Sequence, residues 1–196
     1  MLLHLLSNRF NEINYIADKG LKMSTVFTVD LDLVGLRDEI YKRIDLIYEA
    51  VCDAQSGWMR KVAMSEVNRT TMEERTNYEL RIEFSGPSFT IRWFSFQFVR
   101  HGNKKTRVVK SISIPRSGKY QRSQFRKAQD WEMELIMAIE DSISSYRVQI
   151  KHLMKTHQSL MYLSKESSRP IEAVPMKKRV TKPNHSISNY KNRYRR

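Results

Sequence analysis

Between Leu36 and Trp58 the apolar positions Leu36, Ile40, Ile44, Ile47, Val51 and Trp58 fall mostly three or four apart, so a helix gathers them into one stripe. Asp38, Glu39, Lys42, Arg43 and Asp45 take the other faces, and Asp30 or Asp32 stands where an N-cap belongs. The pattern reaches towards Val67, although Ser56-Gly57 weakens a helix there. The period then shortens to two. Over 77–84, Tyr78, Leu80, Ile82 and Phe84 alternate with Glu79, Arg81 and Glu83, as in a strand with one buried face. Gly86-Pro87 forces a turn, and Phe89 to Arg100 is dense in aromatic and β-branched residues. His101-Gly102-Asn103-Lys104 suits a hairpin turn, and Val108 to Ile114, ended by Pro115, supplies a third strand. The three strands form an antiparallel meander over 77–114.

The middle strand is apolar on both faces, with Ile91, Trp93 and Val99 on one and Phe94, Phe96 and Phe98 on the other. One face is expected on a helix; the other needs a further layer, a partner or nucleic-acid bases, and a central strand covered on both faces is the commoner arrangement. After a loop over 115–121, apolar positions from Phe125 and Ala128 through Leu135, Ile139, Tyr146, Ile150, Leu153 and Leu160 predict a long helix over 122–165. At 1.5 Å per residue it would run about 60 Å, so it has to pair antiparallel with the first helix, break, or dimerise. Residues 167–196 are rich in Pro, Lys, Arg, Asn and Ser and read as a disordered arm that orders on binding. The expected fold class is therefore α+β. Long N- and C-terminal helices pack with a three-stranded antiparallel β-meander in one domain over 30–166, between an extension over 1–29 and the basic arm. The competing fold is a helical hairpin whose β segment is only an arm.

Charge sharpens this picture. The 196 residues carry 35 Lys and Arg against 21 Asp and Glu, a formal charge of +14. The excess is not spread evenly: from Arg92 to Lys127 there are 11 basic residues and no acid, and residues 167–196 hold 9 basic residues against Glu172 alone. Such segregation is the footprint of a phosphate-binding surface rather than of ordinary surface basicity. Cys52 is the one cysteine, so no internal disulfide forms, a reducing compartment is expected, and a packing role suits the thiol. No apolar run is long enough to span a membrane, and Met1-Leu2-Leu3-His4-Leu5-Leu6 is too short for a signal peptide. A cytoplasmic protein without membrane insertion is expected, with Met1 or Met23 as its start.

Catalytic constellations are not apparent. His4, His101, His152, His157 and His185 are scattered, no metal-spaced pair occurs, and the six glycines form no phosphate loop. Asp130, Glu132, Glu134, Glu140 and Asp141 cluster, and Glu134 and Asp141 share a helical face, yet a solvated helix face near a positive dipole end explains them without a metal. Tyr190 and Tyr194 lack the pocket a tyrosine nucleophile requires. The expectation is a non-enzyme with no cofactor and no metal.

The residues read as nucleic-acid contacts begin with Arg92, Arg100, Lys104, Lys105, Arg107 and Lys110 on the sheet, most of them around the second hairpin. Arg116, Lys119, Arg122, Arg126 and Lys127 follow in the loop and the first helical turns, with Tyr120 set among them to stack on a base or anchor the loop. Ser117, Gly118 and Ser123 permit close backbone approach, and a helix N-terminus would add phosphate-binding N–H groups. In the tail, Lys177, Lys178 and Arg179 make one cluster and Arg193, Arg195 and Arg196 another, interleaved with Tyr190 and Tyr194.

The run IRWFSFQFV from Ile91 to Val99, the basic hairpin after it, and GKYQRSQFRKAQDWEMELIMAIED from Gly118 to Asp141 resemble the MobI-type proteins of conjugative plasmids and integrative conjugative elements. The resemblance implies an accessory factor that helps start DNA transfer at the origin of transfer, beside a separate relaxase, with no catalytic residues to carry over. The implied partners are origin-of-transfer DNA and a relaxase or other transfer protein, with a homodimer through the long helix. Two other readings compete: a helical scaffold that touches nucleic acid only non-specifically through its tail, and a nuclease or relaxase-like enzyme using Glu134 and Asp141.

Overall fold

The computed structural model describes residues 32–70, 75–102 and 104–195; within them the side chains of Phe98, His101, Lys104 and Lys105 fall outside the description. The expected extension, and with it Asp30 and the alternative start at Met23, lies outside the described residues, as do Asn103 and Arg196. The architecture is α+β. Helix α1 (Leu33–Asn68) leads into an antiparallel sheet of β1 (Tyr78–Ser85), β2 (Ser88–His101) and β3 (Lys104–Ser111), ordered β1-β2-β3. Helix α2 (Asp130–Glu166) and a short α3 (Ile187–Tyr194) follow.

Helix α1 passes straight through Ser56-Gly57 because tertiary packing outweighs the propensity cost of about 1 kcal/mol at a helical glycine. Ile44, Val51, Trp58 and Val62 are buried along its inner face. Tyr41 contacts His157 near the far end of α2, while Trp58 lies beside Leu135 and Ile139 near its start, so the two helices run antiparallel. The apolar stripe of α2 (Ile136, Ile139, Ile143, Ile150, Leu160) is thereby buried within the chain.

The sheet lays Leu80, Ile82, Phe89, Ile91 and Trp93 on this helical layer. Gly86, at φ 56°, opens the two-residue β1–β2 connection as a primed hairpin turn requires. The register is staggered: β1 pairs with Ser88–Ser95 of β2, whereas β3 pairs with Phe94–His101. Only Phe94 and Ser95 have a strand on both sides.

Three expectations are corrected. The third strand spans Lys104–Ser111 rather than 108–114, because the Gly102 turn (φ 56°) pairs His101 with Lys104 at once. At its other end the chain leaves the sheet after Ser111, where the Ile112 carbonyl accepts from the Tyr120 hydroxyl at 2.9 Å. The long helix starts at Asp130 rather than 122; Phe125 and Ala128 are core contacts of a loop containing a 3₁₀ turn at Arg122–Gln124.

The third correction concerns the tail. Residues 167–195 are not a disordered arm but a strap along α1. The Val174 N–H donates to the Tyr41 hydroxyl (3.0 Å), Met176 is fully buried and its N–H donates to the Gly86 carbonyl (2.8 Å), and Lys191 pairs with Glu66. Low apolar content hid this, because Met176, Tyr190, three partly buried aliphatics (Val174, Val180 and Ile187) and a few ion pairs do the anchoring.

Candidate nucleic-acid interface

Because β1 stops at the middle of β2, the second half of the β2–β3 hairpin is a two-stranded ribbon with no third strand beside it among the described residues. Gln97, Val99, Arg100 and Thr106–Ser111 are all exposed. Alternation assigns the faces. Ser95, Gln97 and Val99 share the side of Trp93, opposite Lys110, Val108 and Thr106, while Phe96 and Arg100 lie on the outer side with Val109 and Arg107. The outer aromatics are covered from within the sheet. The Arg81 guanidinium sits 4.6 Å from the Phe94 ring centroid and that of Arg107 3.4 Å from Phe96, leaving the rings 8% and 4% exposed. Burial lowers the Arg107 pKa from its ordinary value, a shift opposed by Glu79 and reinforced by Arg81.

At the ribbon's root the loop 115–129 packs over the inner face. The Lys127 N–H donates to the Tyr78 hydroxyl at 3.0 Å, and the Asn77 side chain donates to the Lys127 carbonyl at 2.8 Å. Phe125 is fully buried against Tyr78 and Trp93, with ring centroids 5.1 and 5.5 Å apart. The buried rings hold the backbone down and push Arg122, Arg126 and Lys127 into solvent.

A buried ion pair sets the loop's position. Glu140 and Arg147 are one helical stripe apart on α2, with side chains 0% and 5% exposed. The Arg147 guanidinium donates to both Glu140 oxygens (2.7 and 2.8 Å), to the Ile91 carbonyl (2.9 Å) and to the Gly118 carbonyl (3.0 Å). Glu140 also accepts from Trp93 Nε1 (2.7 Å) and from the Tyr120 N–H (3.0 Å). One network thus joins α2, β2 and the loop. Glu132, also fully buried, accepts from the N–H groups of Asn77 (2.8 Å) and Tyr78 (3.0 Å) and from the Thr76 hydroxyl, fixing the entry to β1. Desolvation pushes its pKa from 4.5 up to about 7 against these hydrogen bonds.

The acidic cluster is therefore not the solvated face expected: Glu132 and Glu140 are core groups. Asp141 is exposed and bonds Lys119 at 2.6 Å, and Glu134 is exposed. Among the described residues no three His, Cys, Asp or Glu side chains come together as a metal site. The helix N-terminus expected beside Ser123 does not form there; the first turn of α2 begins at Asp130 and carries Asp130 and Glu132.

The predicted contacts divide accordingly. Arg100, Arg107 and Lys110 stand on the ribbon, and Arg116, Arg122, Arg126 and Lys127 are exposed on or beside the loop. Lys104 and Lys105 occupy β3 positions opposite His101 and Arg100, and nothing further is assigned to their side chains. Lys119 is exposed but held by Asp141, and Arg92 is half-buried, with its Nε enclosed. Tyr120 is corrected: it is 1% exposed, its ring below the Arg147 guanidinium, and offers no surface to a base.

In the tail Arg179 is likewise a structural lock, donating to Asp45 (2.9 Å) and to the carbonyls of Val174 (2.6 Å) and Pro87 (2.9 Å), and lying 4.0 Å from the Tyr41 ring centroid. Lys177, Lys178, Arg193 and Arg195 are exposed on the strap. Sequence reasoning missed the Glu140–Arg147 pair, although its seven-residue spacing placed both groups on one face. Beside the loop, a mainly apolar cavity of about 410 Å³ lies between Phe89, Ile91, Ile114 and Val148, with Arg116 and Lys151 in its lining.

The family model described as MobI protein matches residues 48–161, more than half of the chain. The chain belongs to the MobI family. No curated protein and no solved structure matches it. The match runs from the middle of α1 through the sheet and loop into the last turns of α2, so it contains the whole basic hairpin and leaves the C-terminal strap outside. Membership in MobI implies a role in conjugative mobilisation together with other transfer proteins. Among the described residues no helix is long and apolar enough to cross a membrane.

Proposed function

We propose that this MobI chain is a DNA-binding accessory factor that helps initiate conjugative transfer at the origin of transfer, beside a separate relaxase that performs the cleavage. The observation that carries the reading is the placement of the acid-free segment. The stretch from Arg92 to Lys127 folds into a projecting ribbon and a loop at its root, with Lys110 on the ribbon's inner face, Arg100 and Arg107 on its outer face, and Lys127 fixed beside the root through Tyr78. A polyanion approaching there meets Arg100, Lys110, Arg122, Arg126 and Lys127 without an opposing carboxylate from the same segment.

The reading of the chain as a scaffold with a sticky tail has less support, since the strap commits Arg179 and Lys191 to intramolecular pairs. A homodimer would have to use surfaces left over from the α1–α2 pairing, such as Tyr162 and Leu163 near the end of α2. The test is an anisotropy titration of a labelled origin-of-transfer duplex against a scrambled one across a salt series. A preference of about tenfold or more with a steep salt slope is expected. Equal affinity for both duplexes would leave only non-specific binding, and no binding at low salt would remove nucleic acid from the account.

A further inference from the structure

We infer that the β2–β3 ribbon reads duplex DNA from the major groove, with Gln97 and Thr106, flanked by Val99 and Val108, as its base-reading face. The inference rests on the DNA-binding reading above and adds to it which face of which element carries sequence preference.

The two faces of the ribbon are chemically unlike. On the outer face Phe94 and Phe96 are capped by Arg81 and Arg107, so these rings are spent on the protein's own packing, and the exposed positions there are Arg100, Arg107 and Val109. Beyond Ser95 the inner face loses its helical cover: Gln97 and Thr106 are exposed, and Val99 and Val108 are 38% and 42% exposed. Gln97 is paired with Val108 and Val99 with Thr106, so these four side chains form one contiguous patch. They are uncharged and flanked by cations, with Lys110 two residues beyond Val108 and Arg100 next to Val99.

That composition suits base edges better than phosphates. A glutamine carboxamide offers a donor and an acceptor side by side, matching adenine N7 and N6. A threonine hydroxyl serves either role, and branched methyl groups pack on the thymine methyl. The dimensions agree. Six residues from Phe96 to His101 extend about 20 Å, and two strands about 4.8 Å apart fit a major groove about 12 Å wide. In that pose Lys110 and the loop cations Arg126 and Lys127 stand at the root, where the flanking backbone would lie. Duplex is favoured over single strand because, among the described side chains, the rings beside these cations (Phe94, Phe96, Tyr120 and Phe125) are buried and cannot stack on unpaired bases.

The test uses the full chain and the double variant Gln97→Ala/Thr106→Ala, titrated against origin and scrambled duplexes and an origin single strand. Both side chains are exposed, so the variant should melt with the parent. The expected result is a fall of fivefold or more in origin preference, with affinity for the scrambled duplex and the salt slope unchanged. A second variant, Gln97→Arg, should move the preferred base at one position towards guanine, which a merely structural role would not do. Full origin preference in the double variant would overturn the inference while leaving DNA binding standing, as would an equal loss on both duplexes. Binding of the parent to single strand alone would overturn the inference while leaving DNA binding standing, and binding to no DNA would overturn the inference and the reading beneath it together.

Discussion

Replacing Arg147 with methionine should cost this protein about 3–5 kcal/mol, because the loss falls on a charge that has nowhere else to go. Methionine keeps most of the stem's packing but removes donors to four acceptors: both Glu140 oxygens, the Ile91 carbonyl and the Gly118 carbonyl. Glu140, with its side chain 0% exposed, would keep only the Trp93 indole and the Tyr120 N–H. Solvation cannot replace the guanidinium there. Against a total stability of roughly 5–15 kcal/mol, such a loss should lower the urea midpoint by about 2 M at an m-value near 2 kcal/mol/M. The double variant Glu140→Gln/Arg147→Met removes both charges, so its destabilisation should fall at least 2 kcal/mol short of the summed single effects. Urea unfolding followed by tryptophan fluorescence measures all four corners of this cycle. A single-variant cost under about 1.5 kcal/mol, or additive effects, would refute the argument that the pair holds β2 and the loop as one unit.

Other outcomes follow from the same structure. Glu132, whose pKa rises from 4.5 to about 7 in the folded state, binds more proton folded than unfolded between those values. Its contribution is therefore complete below pH 4.5 and lost as pH rises to about 7, roughly 3 kcal/mol in all. Glu132→Gln should remove that slope from a urea-midpoint series over pH 5–8, while an unchanged slope would contradict it. His157 slopes oppositely: burial, then Arg179 and Arg37, lower its pKa, so its stability is present above pH 6.5 and lost on acidification. Arg179→Ala should free the strap at a cost of about 2–4 kcal/mol and expose it to trypsin at Lys177 and Lys178, whereas equal cleavage rates would show that the strap was never locked. Gly118 has φ 79°, and a Cβ there would stand 3.0 Å from Val148 Cγ2, so Gly118→Ala should lower stability by about 1–2 kcal/mol in the same urea assay. A neutral effect would mean the loop is free to move.

The elements were legible in the sequence where periodicity and burial coincide. The stripe from Leu36 to Trp58 is a core face from Ile40 onward, with Leu36 itself 45% exposed, and the alternation of Tyr78 to Phe84 and the aromatic strand after Gly86 lie where the patterns put them. Failures arose where a long-range partner decides the outcome. Phe125 and Ala128 fit the helical period of α2, yet Phe125 is recruited by Tyr78 and Trp93 and the loop stays out of the helix. Glu132 and Glu140 look like surface acids until Asn77, Tyr78 and Arg147 are brought to them. Among the site residues the exposed cations were readable from charge alone. Their division into ribbon, loop and strap was not, and neither was the uncharged patch around Gln97, because both depend on the stagger of β1 and β3 against β2.

The most direct test of the account compares which cations carry DNA affinity. The dependence of log K on log salt for the origin duplex should be measured for the parent, for Arg100→Ala/Lys110→Ala/Arg126→Ala, and for Lys177→Ala/Lys178→Ala/Arg193→Ala. If the ribbon and loop engage the backbone, the first triple variant should lose about 2–3 from the magnitude of the slope and bind at least tenfold more weakly, with the second close to the parent. The opposite pattern, a slope carried by the strap and indifferent to the ribbon, would contradict the central claim.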